Sequence, residues 1–185
     1  IKIQSKKPII SILPGSRKQE VKKILSDILK VIKKFPNYRF IIAGVSHIDK
    51  EFYEKILNGN NTEIIFNKTY ELLNSSSFSI VASGTATLET ALFNVPQIVC
   101  YKTNFINYLL AKFIVKIKFI SLVNIIMGRE VVKELIQNDV NPKKIEMELS
   151  NLLSNNKIKD DYKELRNIIG ENNTAKKIVS HIQKN

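Results

Sequence analysis

Short runs of β-branched and apolar residues alternate with longer stretches of helical periodicity, and this alternation restricts the chain more than any other feature. Residues 8–13, 39–43, 63–66, 78–82 and 97–101 have the length and composition of strands. Between the first two, Val21, Leu25, Ile28, Leu29 and Ile32 recur at helical spacing, and Phe35-Pro36-Asn37 supplies the stop. Further helices are predicted over 49–57 and 70–74. Strands separated by helices are joined by crossovers, which favours parallel pairing with helices on the sheet's faces. The expected fold is therefore α/β, a Rossmann-like parallel sheet with flanking helices. Beyond Tyr101 the pattern becomes helical, with segments predicted over 104–118, 129–137, 142–153, 160–169 and 174–183. No Gly/Ser-rich linker separates the two parts. We expect one domain over 1–185, with a sheet region at about 8–101 and a helical C-terminal extension at about 104–185.

A chain that is 44% hydrophobic and 25% charged can bury a single core of ordinary size. Its one cysteine, Cys100, sits in the apolar run Ile98-Val99-Cys100-Tyr101, which excludes an intrachain disulfide framework or thiolate metal cluster and fits a reducing cytosol. His47 and His181 have no neighbouring ligand pattern and read as structural or exposed. The formal net charge of +12 calls for an anionic partner. Nucleotide phosphates, nucleic acid and an acidic membrane surface all meet that demand. No zinc-finger or RNA-binding aromatic signature is present, so a nucleic-acid-binding module is the weaker reading. The stretch 105–119 is apolar but broken by three lysines, and it is shorter than the roughly 20 apolar residues of a membrane span. A basic helix lying on an anionic membrane and a core helix both remain open for it. The start, Ile1-Lys2-Ile3, carries no initiator Met and reads as the beginning of a fragment.

In open parallel sheets, ligands bind beyond the carboxyl ends of the strands. The loops after Leu13, Ala43, Ala82 and Tyr101 are therefore the places to search. The sharpest signal is Ala82-Ser83-Gly84-Thr85-Ala86-Thr87-Leu88-Glu89, where an apolar strand ends in small residues and a helix begins at once. Unpaired N–H groups and the helix dipole attract an anion there. Gly84 admits the ligand to the backbone, and Ser83, Thr85 and Thr87 bring hydroxyls. Simple capping by Ser83 or Thr85 is the alternative. Glu89 lies one turn beyond Thr85 on the same face, as a ribose partner or as a favourable first-turn charge. A second loop, Leu13-Pro14-Gly15-Ser16-Arg17, precedes a helix and places Gly15, Ser16 and a cation, Arg17, where a phosphate could be met. It lacks the Gly-Lys-Ser/Thr of a Walker loop. A third segment, Ser121 to Glu130, sets Asn124, Gly128 and Arg129 ahead of the helix predicted at 129–137.

Taken together, these three segments resemble the lipid-A-disaccharide synthases, glycosyltransferases of the two-domain GT-B fold. The resemblance is carried by Leu13-Pro14-Gly15-Ser16-Arg17 with Glu20-Val21, by Ala82 to Glu89, and by Asn124-Ile125-Ile126 with Gly128-Arg129-Glu130-Val131-Val132. The Ser-Gly-Thr…Glu…Pro pattern is shared loosely with other sugar-nucleotide transferases and epimerases, whereas the Asn…Gly-Arg-Glu segment is more specific. One departure is Val123, where the family usually has Pro. The resemblance implies the UDP-sugar-binding C-terminal half of such an enzyme, with an absent N-terminal half holding much of the acceptor site and the general base. It implies Gly15, Ser16, Arg17, Ser83, Gly84, Thr85, Glu89 and Asn124 as ligand contacts. Arg17 and Asn124 are implied as stabilisers of the leaving diphosphate. The implied reaction moves 2,3-diacylglucosamine from UDP to 2,3-diacylglucosamine 1-phosphate in a bacterial cytoplasm, with neither cofactor nor metal. A peripheral position on the inner membrane's cytoplasmic face is open.

Overall fold

The computed structural model describes residues 3–103, 118–154 and 158–171. Six strands, β1 (Ile9–Leu13), β2 (Arg39–Gly44), β3 (Glu63–Phe66), β4 (Ser76–Ala82), β5 (Gln97–Tyr101) and β6 (Lys133–Ile136), form one sheet in the order β3-β2-β1-β4-β5-β6. All five pairings are parallel. This is the doubly wound order in which chain direction across the sheet reverses between β1 and β4.

Alternation along the strands sends side chains to two apolar layers. On one face, Ile10, Ile12, Phe40, Ile42, Ile98 and Cys100 meet α1 (Lys18–Ile32), α2 (Lys50–Leu57) and α6 (Pro142–Ser154). Helix α1 buries Val21, Ile24, Leu25, Ile28 and Val31, the stripe foreseen from its periodicity. On the other face, Ile9, Leu13, Ile41 and Val81 pack on Leu72 and Leu73 of α3 (Thr69–Ser75). Farther along that face, Val99 packs with α4 (Thr85–Leu92), α5 (Leu122–Met127) and α7 (Ile158–Glu171). The buried Ser11 and Ser79 hydroxyls satisfy each other across β1 and β4 at 2.9 Å.

The five predicted strands are all present, but the expected helix at 129–137 is not. Met127 ends α5, Gly128 follows in the left-handed conformation (φ 65°), and Lys133–Ile136 then adds β6 to the sheet beside β5. The sheet thus extends beyond the region 8–101. Arg129, Glu130 and Lys133 mimic a polar helical face, while the β-branched Val131-Val132 leading into Lys133–Ile136 fit a strand. Such an edge strand becomes legible only once β5 is there to pair with it. The helices predicted at 104–118 and 174–183 lie almost wholly or wholly outside the described residues.

Candidate functional site

At the point where strand order reverses, the loops after β1 and β4 enclose a cavity of about 250 Å³. Gly15, Ser16, Ser83, Gly84, Thr85 and Glu89 all line it, so six of the eight residues predicted as ligand contacts converge on one space. The remaining two stand elsewhere.

Helix α4 begins at this cavity without a side-chain cap, Gly84 serving as its N-cap residue. Of the two hydroxyls expected as caps, that of Ser83 is engaged otherwise. Ser83 Oγ donates to the Ile120 carbonyl at 2.9 Å, and Thr87 Oγ1 donates to the Gly84 carbonyl at 2.8 Å. The Thr87 N–H closes onto the Gly84 carbonyl at 3.2 Å, while the amides of Thr85 and Ala86 keep their capacity for an external acceptor. A Cβ at Gly84 would meet no protein atom, so the glycine is required by the backbone of the turn (φ 156°, ψ −161°) and not by packing. Ser83 N–H donates to Cys100 O at 2.9 Å, which fixes the turn to the end of β5. Glu89 stands one turn into the helix. Its carboxylate makes no hydrogen bond or ion pair among the described residues, and it lines the cavity.

On the opposite wall, Gly15 has φ 105°, a conformation that side chains rarely adopt. A Cβ there would collide with the carboxylate of Glu20. Glu20, three residues into α1's first turn, receives backbone hydrogen bonds from Ser16 and Arg17. Burial nevertheless raises its pKa, outweighing those bonds and the nearby positive charge of Arg17. Glu20 belongs to the cavity although its motif was noted without assigning it contact with a ligand. Its position three residues after the helix N-cap, the spacing of a capping box, was the signal available. His47 holds this wall from outside, its Nε2 donating to the Ser16 carbonyl at 2.6 Å.

Arg17 does not line the cavity. It opens onto an adjoining groove with Lys18, Lys23, Tyr101, Lys102 and Thr103, and Glu20 is shared by both spaces. Its guanidinium makes no hydrogen bond or ion pair among the described residues.

Asn124 departs further from expectation. It is fully buried, and its amide is consumed within the protein. Oδ1 accepts from the N–H groups of Val131 and Val132 at 2.8 and 2.9 Å, while Nδ2 donates to Val132 O and to Glu134 Oε1, both at 2.8 Å. No free donor is left for a diphosphate, which corrects the role implied by resemblance. Asn124 instead belongs to a brace centred on Glu134. That carboxylate also accepts from Ser121 Oγ at 2.7 Å, Ser121 N at 2.9 Å and Ile120 N at 3.0 Å. Since Ile120 O receives the Ser83 hydroxyl, the brace reaches the cavity wall through a single residue. Glu134 was missed because its partners precede it by 10 to 14 residues, with a helix and a turn between them. Arg129, also in this segment, is exposed and pairs with Asp161 at 2.9 Å and Glu164 at 2.6 Å on α7.

Among the described residues, no group of three His, Cys, Asp or Glu is placed to hold a metal ion, and no helix is long and apolar enough to cross a membrane.

A family model described as lipid-A-disaccharide synthetase matches residues 1–183. The lipid-A-disaccharide synthase of Acinetobacter baylyi is 34% identical over 169 residues, covering 83% of this chain and 43% of that protein. That of Blochmanniella pennsylvanica is 35% identical over 153 residues, covering 80% and 40%. The chain thus spans less than half the length of these relatives. Among solved structures, spinosyn rhamnosyltransferase SpnG complexed with thymidine diphosphate is similar with a TM-score of 0.64 at 13% identity, covering 91% of this chain and 43% of that one. UDP-GlcNAc 2-epimerase from Neisseria meningitidis bound to UDP-GlcNAc gives 0.60 at 19% identity, covering 99% and 46%. At such identities the likeness is one of fold, that of one half of a GT-B enzyme.

Proposed function

The chain belongs to the lipid-A-disaccharide synthetase family, and on that premise we propose that it is the half of a glycosyltransferase that holds a UDP-sugar donor. The observation that carries the reading is the convergence, on one cavity at the switch point of the sheet, of an uncapped helix start and a carboxylate without a partner among the described residues. The diphosphate sits against the amides at Gly84, Thr85 and Ala86, and the ribose hydroxyls donate to Glu89. Arg17 reaches the diphosphate from the adjoining groove, its guanidinium being uncommitted among the described residues.

In the proposed reaction, the 6-hydroxyl of 2,3-diacylglucosamine 1-phosphate attacks the anomeric carbon of UDP-2,3-diacylglucosamine. A carbon–oxygen bond forms, the bond to the diphosphate breaks, and UDP leaves with the electron pair while the hydroxyl proton passes to a base. We assign that base to the part of such a protein outside this chain. Charge gathers on the departing diphosphate, where helix amides and Arg17 are preorganised to receive it, so the reading needs neither cofactor nor metal. Acylated substrates would bring the protein to the cytoplasmic face of a bacterial membrane, whose anionic surface suits a chain of net charge +12.

Calorimetric titration of the 185-residue chain with UDP tests the reading. We expect saturable binding, weakened about tenfold by Arg17→Ala or Glu89→Ala, the usual consequence of losing one charge-assisted hydrogen bond. No heat at millimolar UDP would overturn it.

A further inference from the structure

The turn after β1 gives the nucleotide cavity a wall with reason to be loose. Gly15 stands at φ 105°, and a glycine lets the peptide groups on either side of it turn more freely than any other residue does. Arg17 leaves this turn as the N-cap residue of α1, so the direction its side chain takes depends on the peptide group that joins it to Ser16. Both polar atoms of that group are held. Its N–H, on Arg17, donates to the Glu20 carboxylate, which also takes the Ser16 N–H. Its carbonyl oxygen, on Ser16, accepts from His47 Nε2 at 2.6 Å. In a trans peptide the oxygen and the N–H point in opposite directions, so bonds to both stop the group from rotating.

The two holds differ in origin. Glu20 belongs to the helix that follows the same turn, whereas His47 comes from the loop after β2, 31 residues beyond Ser16. That loop is fixed although the His47 ring is exposed. Ile48, next in sequence, is buried, and its N–H donates to Val45 O at 3.1 Å. Val45 N donates to the hydroxyl of the buried Tyr53 at 3.1 Å, and Asp49 starts α2 directly afterwards. Lys18 Nζ lies 3.4 Å from Asp49 Oδ2, a second tie between the same two segments. A carbonyl oxygen only accepts, so Nε2 of His47 carries a proton. The neutral Nε2–H ring and the imidazolium both meet that demand.

We propose that His47 is a positioning residue of the nucleotide site, which clamps the Ser16–Arg17 peptide so that the Arg17 guanidinium is presented to a diphosphate. The role rests on the UDP reading above, and His47 makes no contact with the ligand itself. Without the clamp, Arg17 keeps its charge but loses its direction, and the cost of ordering it falls on the binding step.

Calorimetry of the 185-residue chain with UDP tests this through a double-mutant cycle. His47→Ala should weaken UDP severalfold, the net worth of one neutral hydrogen bond. In an Arg17→Ala chain the same substitution should have no further effect, because His47 acts through Arg17. His47→Gln, whose Nε2 lies as many bonds from Cβ as that of histidine, should recover most of the loss. Unchanged UDP affinity in His47→Ala, or an equal loss with and without Arg17, would overturn the proposal. The clamp is also read without ligand. Proton–nitrogen correlation spectra of the imidazole should place a proton on Nε2 of His47, and His47→Ala should speed hydrogen exchange at the Arg17 amide. A neutral ring with its proton on Nδ1, or unchanged Arg17 exchange, would overturn the clamp whatever UDP does. A chain that shows both signatures of the clamp and no heat with UDP would sink the donor reading alone.

Discussion

Glu20 shows how one residue ties folding to the site. Its carboxylate lies against Gly15 and is held by the Ser16 and Arg17 backbone, and burial raises its pKa above the ordinary carboxylate range. A carboxyl group whose pKa is higher in the folded than in the unfolded chain favours the fold when protonated. That contribution is complete below the unfolded value and is lost as pH rises through the folded one. Chemical denaturation across this window should therefore show stability declining with pH, and Glu20→Gln should flatten the decline. A Glu20→Gln profile parallel to that of the unaltered chain would refute the assignment. Cys100 is the opposite case, a titratable group sealed in the sheet. Burial pushes its thiol up to about 12 and leaves little thiolate at neutral pH. Iodoacetamide should label it only on unfolding, whereas labelling at a rate independent of denaturant would contradict its burial.

Among the elements, α1 carries a large share of one apolar layer. Leu25 is wholly buried there, and Leu25→Ala should cost about 2–5 kcal/mol in equilibrium unfolding, the range for such deletions in a packed core. The link between α5 and β6 works through hydrogen bonds instead. Asn124→Ala would leave the N–H groups of Val131 and Val132 and a lone pair of Glu134 without their partner, at about 1–3 kcal/mol for each buried group left unsatisfied. Because Ile120 connects this brace to Ser83, the same substitution should lower UDP affinity without a ligand contact being lost. Conservative Asn124→Asp, which keeps the acceptor for Val131 and Val132 but faces Glu134 with a like charge, should do no better. Full UDP affinity in a destabilised Asn124→Ala chain would disconnect the brace from the cavity.

For the molecule as a whole, the cavity lies where the sheet changes direction, between loops that belong to different βα units. A ligand bridging them engages the folded chain and has no equivalent in the unfolded one. UDP at about 100 times its Kd should therefore stabilise the chain by about 2.7 kcal/mol, read as a rise in melting temperature. No rise at saturation would contradict a site assembled by the fold. Much of this arrangement was legible beforehand. Five strands, the stripe of α1 and the glycine turns at 15 and 84 follow from local rules of period, branching and helix ends, which depend on residues a few positions apart. Six of the residues predicted as ligand contacts line one cavity because each loop follows a strand, and parallel strands deliver their following loops to one end of a sheet. Tertiary structure alone decided three things. It made Lys133–Ile136 a strand by offering β5 as a partner, and it turned the Asn124 amide inward by supplying Val131, Val132 and Glu134 to saturate it. It also set Arg17 along a groove rather than in the cavity. In each case the deciding neighbours are brought together only by packing, and a polar side chain's role depends on which groups are within reach to satisfy it.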